Sequence, residues 1–193
     1  MLELRFHGRG GQGTVLAAKM LADVVLRSGK GECMAIPEFG VERRGAPVLA
    51  YARISDGPIL LRTRIYEPDV VVVMDTAAAP SERVMDGLKP GGTILVNTEH
   101  DSAELAKTWP GFKVIAVPAR QIALKHGLGT PAAPVLNTAV IGALCAALEL
   151  AGEEDLEAAI RGAVPIKVEE NIAAALEAFA FIAERRPHAA TRV

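Results

Sequence analysis

Leu2-Glu3-Leu4-Arg5-Phe6-His7-Gly8-Arg9-Gly10-Gly11-Gln12-Gly13-Thr14 opens the chain, and its reading decides the fold. Leu2, Leu4 and Phe6 alternate with Glu3, Arg5 and His7, which is the period of a strand with one apolar face. Four glycines then fall within six residues, and Val15, Leu16, Met20, Leu21, Val24 and Val25 follow at helical spacing from Thr14 to about Arg27, with Gly29 as the stop. Strand, glycine turn and helix in that order form a site where backbone N–H groups at a helix N-terminus meet a phosphate. The bare G-x-G-x-x-G pattern also serves plain helix–strand packing, so the turn alone does not fix a ligand. The polar face of the strand needs a partner, either solvent or a polar surface, because a central parallel strand is apolar on both sides.

Outward from the turn, the chain reads as α/β: a single Rossmann-like domain over residues 1–185, with a mostly parallel sheet, helices on both faces and an inserted β-hairpin, then a flexible tail over 186–193. Short strands are expected at Cys33–Ile36, Thr93–Asn97 and Lys113–Val117. Val70-Val71-Val72-Val73 is a fully buried central strand. Asp75 and Thr76 lie at its carboxyl end, where open α/β sheets place ligands. Val48–Ile54 and Ile59–Arg62 flank Ser55-Asp56-Gly57-Pro58, a hairpin signal. Helices are expected at Ser81–Leu88, from Ala119 to about Lys125, and over Asn137–Leu150, Glu153–Arg161 and Lys167 to about Arg185. The Asn137–Leu150 segment is apolar nearly all round, so it is buried in the core or against another subunit.

Composition narrows the function. The 193 residues are half hydrophobic but only 4% aromatic, as expected of a core built from Ala, Val, Leu and Ile. A net charge of −2 gives no nucleic-acid footprint. No uncharged apolar run is long enough to span a membrane, and no signal peptide precedes the strand. The two cysteines, Cys33 and Cys145, fit a reducing compartment, so a cytoplasmic location is expected. The four histidines share no metal spacing, and no nucleophile elbow or P-loop occurs. His7 beside the turn reads more simply as a structural histidine than as a ligand contact. The acid that would hold a nicotinamide ribose, about 20 residues past the turn, has Glu38 as its nearest counterpart, behind a proline in a loop. That weighs against NAD.

Positive charge is local. Arg5, Arg9, Arg43, Arg44, Arg53, Arg62 and Arg64 all fall in the first third. If Arg43 and Arg44 converge on the glycine turn, guanidinium forks join backbone donors in an anion site. Alternatively they pair with Glu38 and Glu42, or meet solvent.

Two motifs together, His7-Gly8-Arg9-Gly10-Gly11-Gln12-Gly13 and Pro37-Glu38-Phe39-Gly40-Val41-Glu42-Arg43-Arg44-Gly45-Ala46-Pro47-Val48, resemble the gamma subunit of 2-oxoacid:ferredoxin oxidoreductases, especially the pyruvate and branched-chain enzymes. The similarity covers nearly the whole chain, through Asn137 and Lys167–Asn171. Val41 stands where many relatives have proline. The resemblance implies oxidative decarboxylation of a 2-oxoacid with coenzyme A, giving acyl-CoA, CO2 and reduced ferredoxin. It also implies alpha, beta and delta-type partner subunits that carry thiamine diphosphate and the iron–sulfur clusters. This chain has neither a thiamine motif nor a cysteine array. The isolated chain is then inactive, with no catalytic residue and no metal of its own. Its expected role is coenzyme A binding, with Gly8, Arg9, Gly10, Gly11, Gln12 and Gly13 on phosphate, and Arg43 and Arg44 as electrostatic support or subunit contacts. The competing readings are a stand-alone NAD(P)-binding Rossmann oxidoreductase and a ligand-free structural subunit. Pyruvate is the preferred substrate, with branched-chain acids next.

Overall fold

Residues 1–38, 45–75 and 84–185 are described by the computed structural model. The opening alternation forms β1 (Leu2–Arg9), and the apolar run after the glycines forms α1 (Thr14–Arg27). There follow β2 (Glu32–Pro37), β3 (Pro47–Ser55), β4 (Val70–Val73), β5 (Thr93–Asn97), α2 (Ser102–Thr108), β6 (Lys113–Val117) and α3 (Ala119–Lys125). A two-residue pair, β7 (Gly129–Thr130) and β8 (Ala133–Pro134), precedes α4 (Asn137–Leu148), α5 (Glu153–Ala163) and α6 (Val168–Ala183). The main sheet runs β2-β3-β1-β4-β5-β6. Contacts β1–β4, β4–β5 and β5–β6 are parallel, and β3 is antiparallel to both of its neighbours.

The expected second strand of the hairpin, Ile59–Arg62, does not form; the antiparallel insertion is β3 itself, lying between β1 and β2. The reason is chemical. Arg53, on β3 and only 2% exposed, donates to the carbonyls of Leu61 (3.0 Å), Thr63 (2.8 Å) and Arg64 (3.4 Å). A side chain thus satisfies backbone groups that a ladder would otherwise have to pair.

Helices cover both faces unequally. α1, α3, α4, α5 and α6 pack with Leu4, Phe6, Val70, Val72, Leu95 and Val117 in the larger core. On the other face, Val71, Val73, Ile94 and Val96 are covered by Val84 and Leu88, with Leu105 and Trp109 from the α2 region. α2 escaped the sequence reading, although Asp101-Ser102-Ala103-Glu104 carries a capping signal; the Asp101 side chain accepts from the Ala103 N–H at 2.7 Å. Of the expected Ser81–Leu88 helix, positions 81–83 lie outside the described residues, and the rest is a turn closed by the Leu88 N–H on the Met85 carbonyl.

Two faces for which an outside partner was one alternative are covered within the chain. The polar face of β1 is covered by the protein's own loops. Arg5 donates to the carbonyls of Val84 (3.0 Å) and Asp86 (2.6 Å), and Glu3 pairs with Arg53 at 2.8 Å. The small-residue helix α4 packs on α6 within the larger core. A Cβ on Gly142 would stand 2.0 Å from the Ala175 carbonyl oxygen, so glycine sets how closely the two helices approach.

Candidate functional site at the carboxyl ends of the strands

The turn after β1 begins α1 without a side-chain cap. Gly13 takes a left-handed conformation (φ 81°), and a Cβ there would meet Asn137 Nδ2 at 2.7 Å. Both facts demand glycine at this position. The N-termini of α1 and α4 therefore meet over one bare backbone position. Asn137 accepts from the Thr138 N–H at 3.0 Å, and Thr138 Oγ1 donates to Asn171 Oδ1 at 3.1 Å, so α6 is tied to the same corner.

The turn is braced from two sides. The Gly10 N–H donates to the Ala46 carbonyl (2.9 Å), the Gly45 N–H donates to the Gly10 carbonyl (3.1 Å), and Arg9 Nη1 reaches the Gly45 carbonyl (3.2 Å). The end of the second sequence motif thus lies against the first. Arg43 and Arg44 fall outside the described residues, as does Thr76. Glu38, one suggested partner of those arginines, is paired with Arg64 at 2.9 Å and accepts from the Tyr51 hydroxyl.

On the other side, Asp75 follows β4. Its Oδ2 accepts from Gln12 Nε2 at 2.9 Å and lies 3.0 Å from Arg9 Nε, at an angle that makes no hydrogen bond. Gln12 Oε1 in turn accepts from the Arg9 N–H at 2.9 Å. Gln12 is therefore a strut with both ends of its amide engaged, and Arg9 already faces a carboxylate. Thr14 Oγ1, at the start of α1, is buried and has no hydrogen-bond partner among the described residues.

Beside the turn opens a cleft of about 450 Å3 at the carboxyl ends of β4, β5 and β6, lined in part by Gln12, Asp75, Asn97, His100, Arg120 and Gln121. This is the region where an open α/β sheet takes its ligand. Asn97 organises it. Its Nδ2 donates to the Met74 carbonyl and its Oδ1 accepts from the Arg120 N–H, both at 2.9 Å, so one amide joins β4, β5 and the start of α3. Arg120 also donates to the Pro131 carbonyl at 2.7 Å. The sequence marked Asn97 and Arg120 only as element ends, and their roles appear once the strands are side by side.

Other titratable groups near the turn are structural. Burial, reinforced by the Arg5 charge, lowers the His7 pKa to about 4, and Arg5 Nε donates to His7 Nε2 at 2.9 Å. The neutral ring therefore keeps its proton on Nδ1. Burial pushes both cysteine thiols up to about 12, which removes them as ready nucleophiles. The sheet order also disfavours a nicotinamide site. The end of β2 lies beyond β3, about 10 Å from β1 at two strand spacings, whereas the acid of a nicotinamide site sits on the strand beside β1.

Comparison with known proteins gives one family. The model of the pyruvate ferredoxin/flavodoxin oxidoreductase family matches residues 3–181. The chain is 48% identical over 186 residues to the pyruvate/ketoisovalerate oxidoreductases common subunit gamma of Thermococcus kodakarensis, covering 93% of this chain and 96% of that one. It is 44% identical over 177 residues to the pyruvate synthase subunit PorC of Methanocaldococcus jannaschii, covering 92% and 94%. The crystal structure of the pyruvate oxidoreductase subunit PORC from Thermotoga maritima superposes with a TM-score of 0.75 at 33% identity, over 93% of this chain and 95% of that one. With its mostly parallel sheet, its glycine turn and near-complete coverage of these relatives, the chain belongs to the pyruvate ferredoxin/flavodoxin oxidoreductase family as a gamma-type subunit.

Proposed function

We propose that this subunit contributes coenzyme A binding to a complex that converts a 2-oxoacid and coenzyme A to acyl-CoA and CO2, with two electrons passed to ferredoxin. Pyruvate is the preferred substrate, with branched-chain 2-oxoacids second, in keeping with the similarity to the gamma subunit common to the pyruvate and ketoisovalerate oxidoreductases of Thermococcus kodakarensis. Thiamine diphosphate and the iron–sulfur clusters belong, in this reading, to alpha, beta and delta-type partner subunits.

The observation that carries the coenzyme A assignment is the cleft at the strand ends with the glycine turn on its rim. The fit can be judged on the residues present. An unsatisfied buried hydroxyl at Thr14, an uncapped helix N-terminus and the Arg9 guanidinium supply donors for a phosphate. The Asp75 carboxylate opposes it, because it occupies Arg9 and Gln12. Phosphate at Gly8–Gly13 therefore requires Arg9 to exchange Asp75 for the ligand. Arg120 and Gln121 line the far side of the cleft and would meet the rest of the molecule.

The ligand-free structural reading draws on the same latch, since Arg9, Gln12 and Asp75 hold the turn without any guest. The deciding experiment uses the complex assembled with its partner subunits and follows pyruvate-dependent reduction of ferredoxin. Replacing Arg9 by Gln raises the coenzyme A requirement with assembly intact under the first reading, and leaves it unchanged under the second.

A further inference from the structure

The cleft at the strand ends does not stop at Gln121. A second chamber of about 340 Å3 opens beside it, at the end of the edge strand β6. Thr98, Glu99, His100, Pro118 and Gln121 line both chambers, so the two share one wall. The chemistry changes across that wall. The first chamber has Gln12 of the glycine turn and Arg120. The second is lined by Phe181, on the last turn of α6, and by Arg185 just beyond it.

Arg185 forms a prepared platform. Its guanidinium carbon lies 3.6 Å from the centroid of the Phe181 ring, and its Nη1 donates to the Phe181 carbonyl at 3.0 Å. A guanidinium lying that close over a ring turns its other face outward, and such a face stacks a planar base. Ala116 and Pro118 add an apolar wall to the same chamber. Ser102 Oγ accepts from the Ala116 N–H at 2.9 Å and still has its own proton to give. Among the described residues, no hydrogen bond or ion pair engages the Glu99 carboxylate or the Gln121 side-chain amide. Two carboxylates, Glu99 and Asp101, stand against the one guanidinium, so this chamber disfavours a phosphate. A flat platform, an acceptor for an amino group and donors for ring nitrogens suit a neutral amino heterocycle.

We propose that the second chamber takes the adenine of coenzyme A, stacked on Arg185, with its 6-amino group on Glu99 and a ring nitrogen on Gln121 or Ser102. The phosphates then lie across the shared wall, with the glycine turn and Arg120, and the pantetheine arm is the part free to leave the cleft. The arm is the poorer occupant of the second chamber, because it is flexible and offers no ring to the guanidinium. This placement rests on the reading of the subunit as the coenzyme A binder, and adds to it which end of the molecule enters beside α6.

The test titrates the complex assembled with its partner subunits by calorimetry. The probes are coenzyme A and two of its fragments, adenosine 3′,5′-bisphosphate and 4′-phosphopantetheine. The variants are Arg185→Ala, Arg185→Lys, Glu99→Ala and Arg9→Gln, with Arg161→Ala as an exposed arginine on α5, away from the chamber. Arg185→Ala is expected to weaken coenzyme A and the adenosine fragment about tenfold; Arg185→Lys, which keeps the charge and loses the plane, does nearly the same. Neither changes phosphopantetheine binding, and Arg161→Ala changes nothing. Purine riboside 3′,5′-bisphosphate, which lacks the 6-amino group, binds the wild type about fivefold more weakly than the adenosine fragment, and the two are equal on Glu99→Ala. Wild-type affinity in Arg185→Ala, or its full retention by Arg185→Lys, overturns the stacked adenine. Loss of phosphopantetheine binding in place of the adenosine fragment reverses the direction and overturns the placement. If Arg9→Gln weakens coenzyme A and the Arg185 variants do not, the chamber falls and the coenzyme A reading stands. If neither position matters, that reading falls as well.

Discussion

Asp75→Asn is the substitution that separates a phosphate-binding turn from a structural latch. The wild-type carboxylate lies 3.0 Å from Arg9 Nε and accepts from Gln12 at 2.9 Å. Its side chain is 18% exposed, so solvent screens it only in part. For a phosphate at the start of α1 taken about 5 Å from this charge, with an effective dielectric constant of about 40, a unit charge pair repels by about 1.7 kcal/mol. Asparagine keeps the shape and one acceptor for Gln12 while removing the charge. It also frees Arg9 for the ligand. The predicted outcome is a coenzyme A KM lowered about tenfold in the assembled complex, with kcat on saturating pyruvate and coenzyme A little changed.

The same substitution weakens the fold slightly. The Arg9–Asp75 pair is partly exposed on both sides and is worth about 1 kcal/mol or less, a melting-temperature loss of about 2–4 °C for a chain of this size. The assay is the initial rate of ferredoxin reduction against coenzyme A concentration at two ionic strengths, with melting curves run in parallel. The advantage of Asp75→Asn shrinks as salt rises if it is electrostatic. A lower melting temperature with an unaltered KM for coenzyme A refutes phosphate binding at the turn and leaves Arg9, Gln12 and Asp75 as a latch.

Other outcomes follow from the packing and the titrating groups. Gly142→Ala places a methyl 2.0 Å from the Ala175 carbonyl, so denaturant titration should show a loss of about 3 kcal/mol as α4 and α6 separate. The His7 pKa is lowered from 6.5 to about 4 in the fold, so the unfolded chain takes up the proton first as pH falls. Stability is unaffected above pH 6.5 and declines between pH 6.5 and 4 by up to about 3 kcal/mol; His7→Gln, which still accepts from Arg5, should flatten that window in urea midpoints. With both thiols raised to about 12, only about one in ten thousand is thiolate at pH 8, so a thiol-specific disulfide reagent should label Cys33 and Cys145 slowly in the native protein and promptly in guanidinium.

Much of the architecture could be read from periodicity. Leu2, Leu4 and Phe6 announced β1, Val70–Val73 announced a strand buried on both sides, and the all-round apolar Asn137 segment announced a buried helix. Those signals are local, and burial follows from them directly. What escaped is non-local. Nothing in the order of the chain places β3 between β1 and β2, and a strong turn signal at Ser55–Pro58 has no second strand because Arg53 takes up the carbonyls beyond it. The glycine turn was legible as a place for close approach. Its counter-charge was not, because Asp75 is 63 residues from Gln12 and belongs to the strand that the parallel crossover brings alongside.

The cationic first third shows why charge clustered in sequence is a poor guide to an anion site. A strand sends alternate side chains to one face, and cross-strand pairing sets Glu3 beside Arg53 and Arg5 beside Tyr51 on the same face of β1 and β3. Arg5 and Arg53 are thereby directed away from the strand ends and spend their donors on loop carbonyls. Arg64 is tied to Glu38, and Arg62 stands outward on the 57–67 loop. Among the described arginines of the cluster, only Arg9, the last residue of β1, emerges at the carboxyl end of the sheet, where the cleft opens. Of the described arginines of that cluster, it alone is placed to meet a phosphate at the turn, and it already faces Asp75. Among the described residues, the anion-binding capacity of the turn therefore depends on one exchangeable ion pair, the Thr14 hydroxyl and the backbone of α1. A single uncharged replacement at position 75 consequently tests it more sharply than removal of Arg5, Arg53, Arg62 or Arg64.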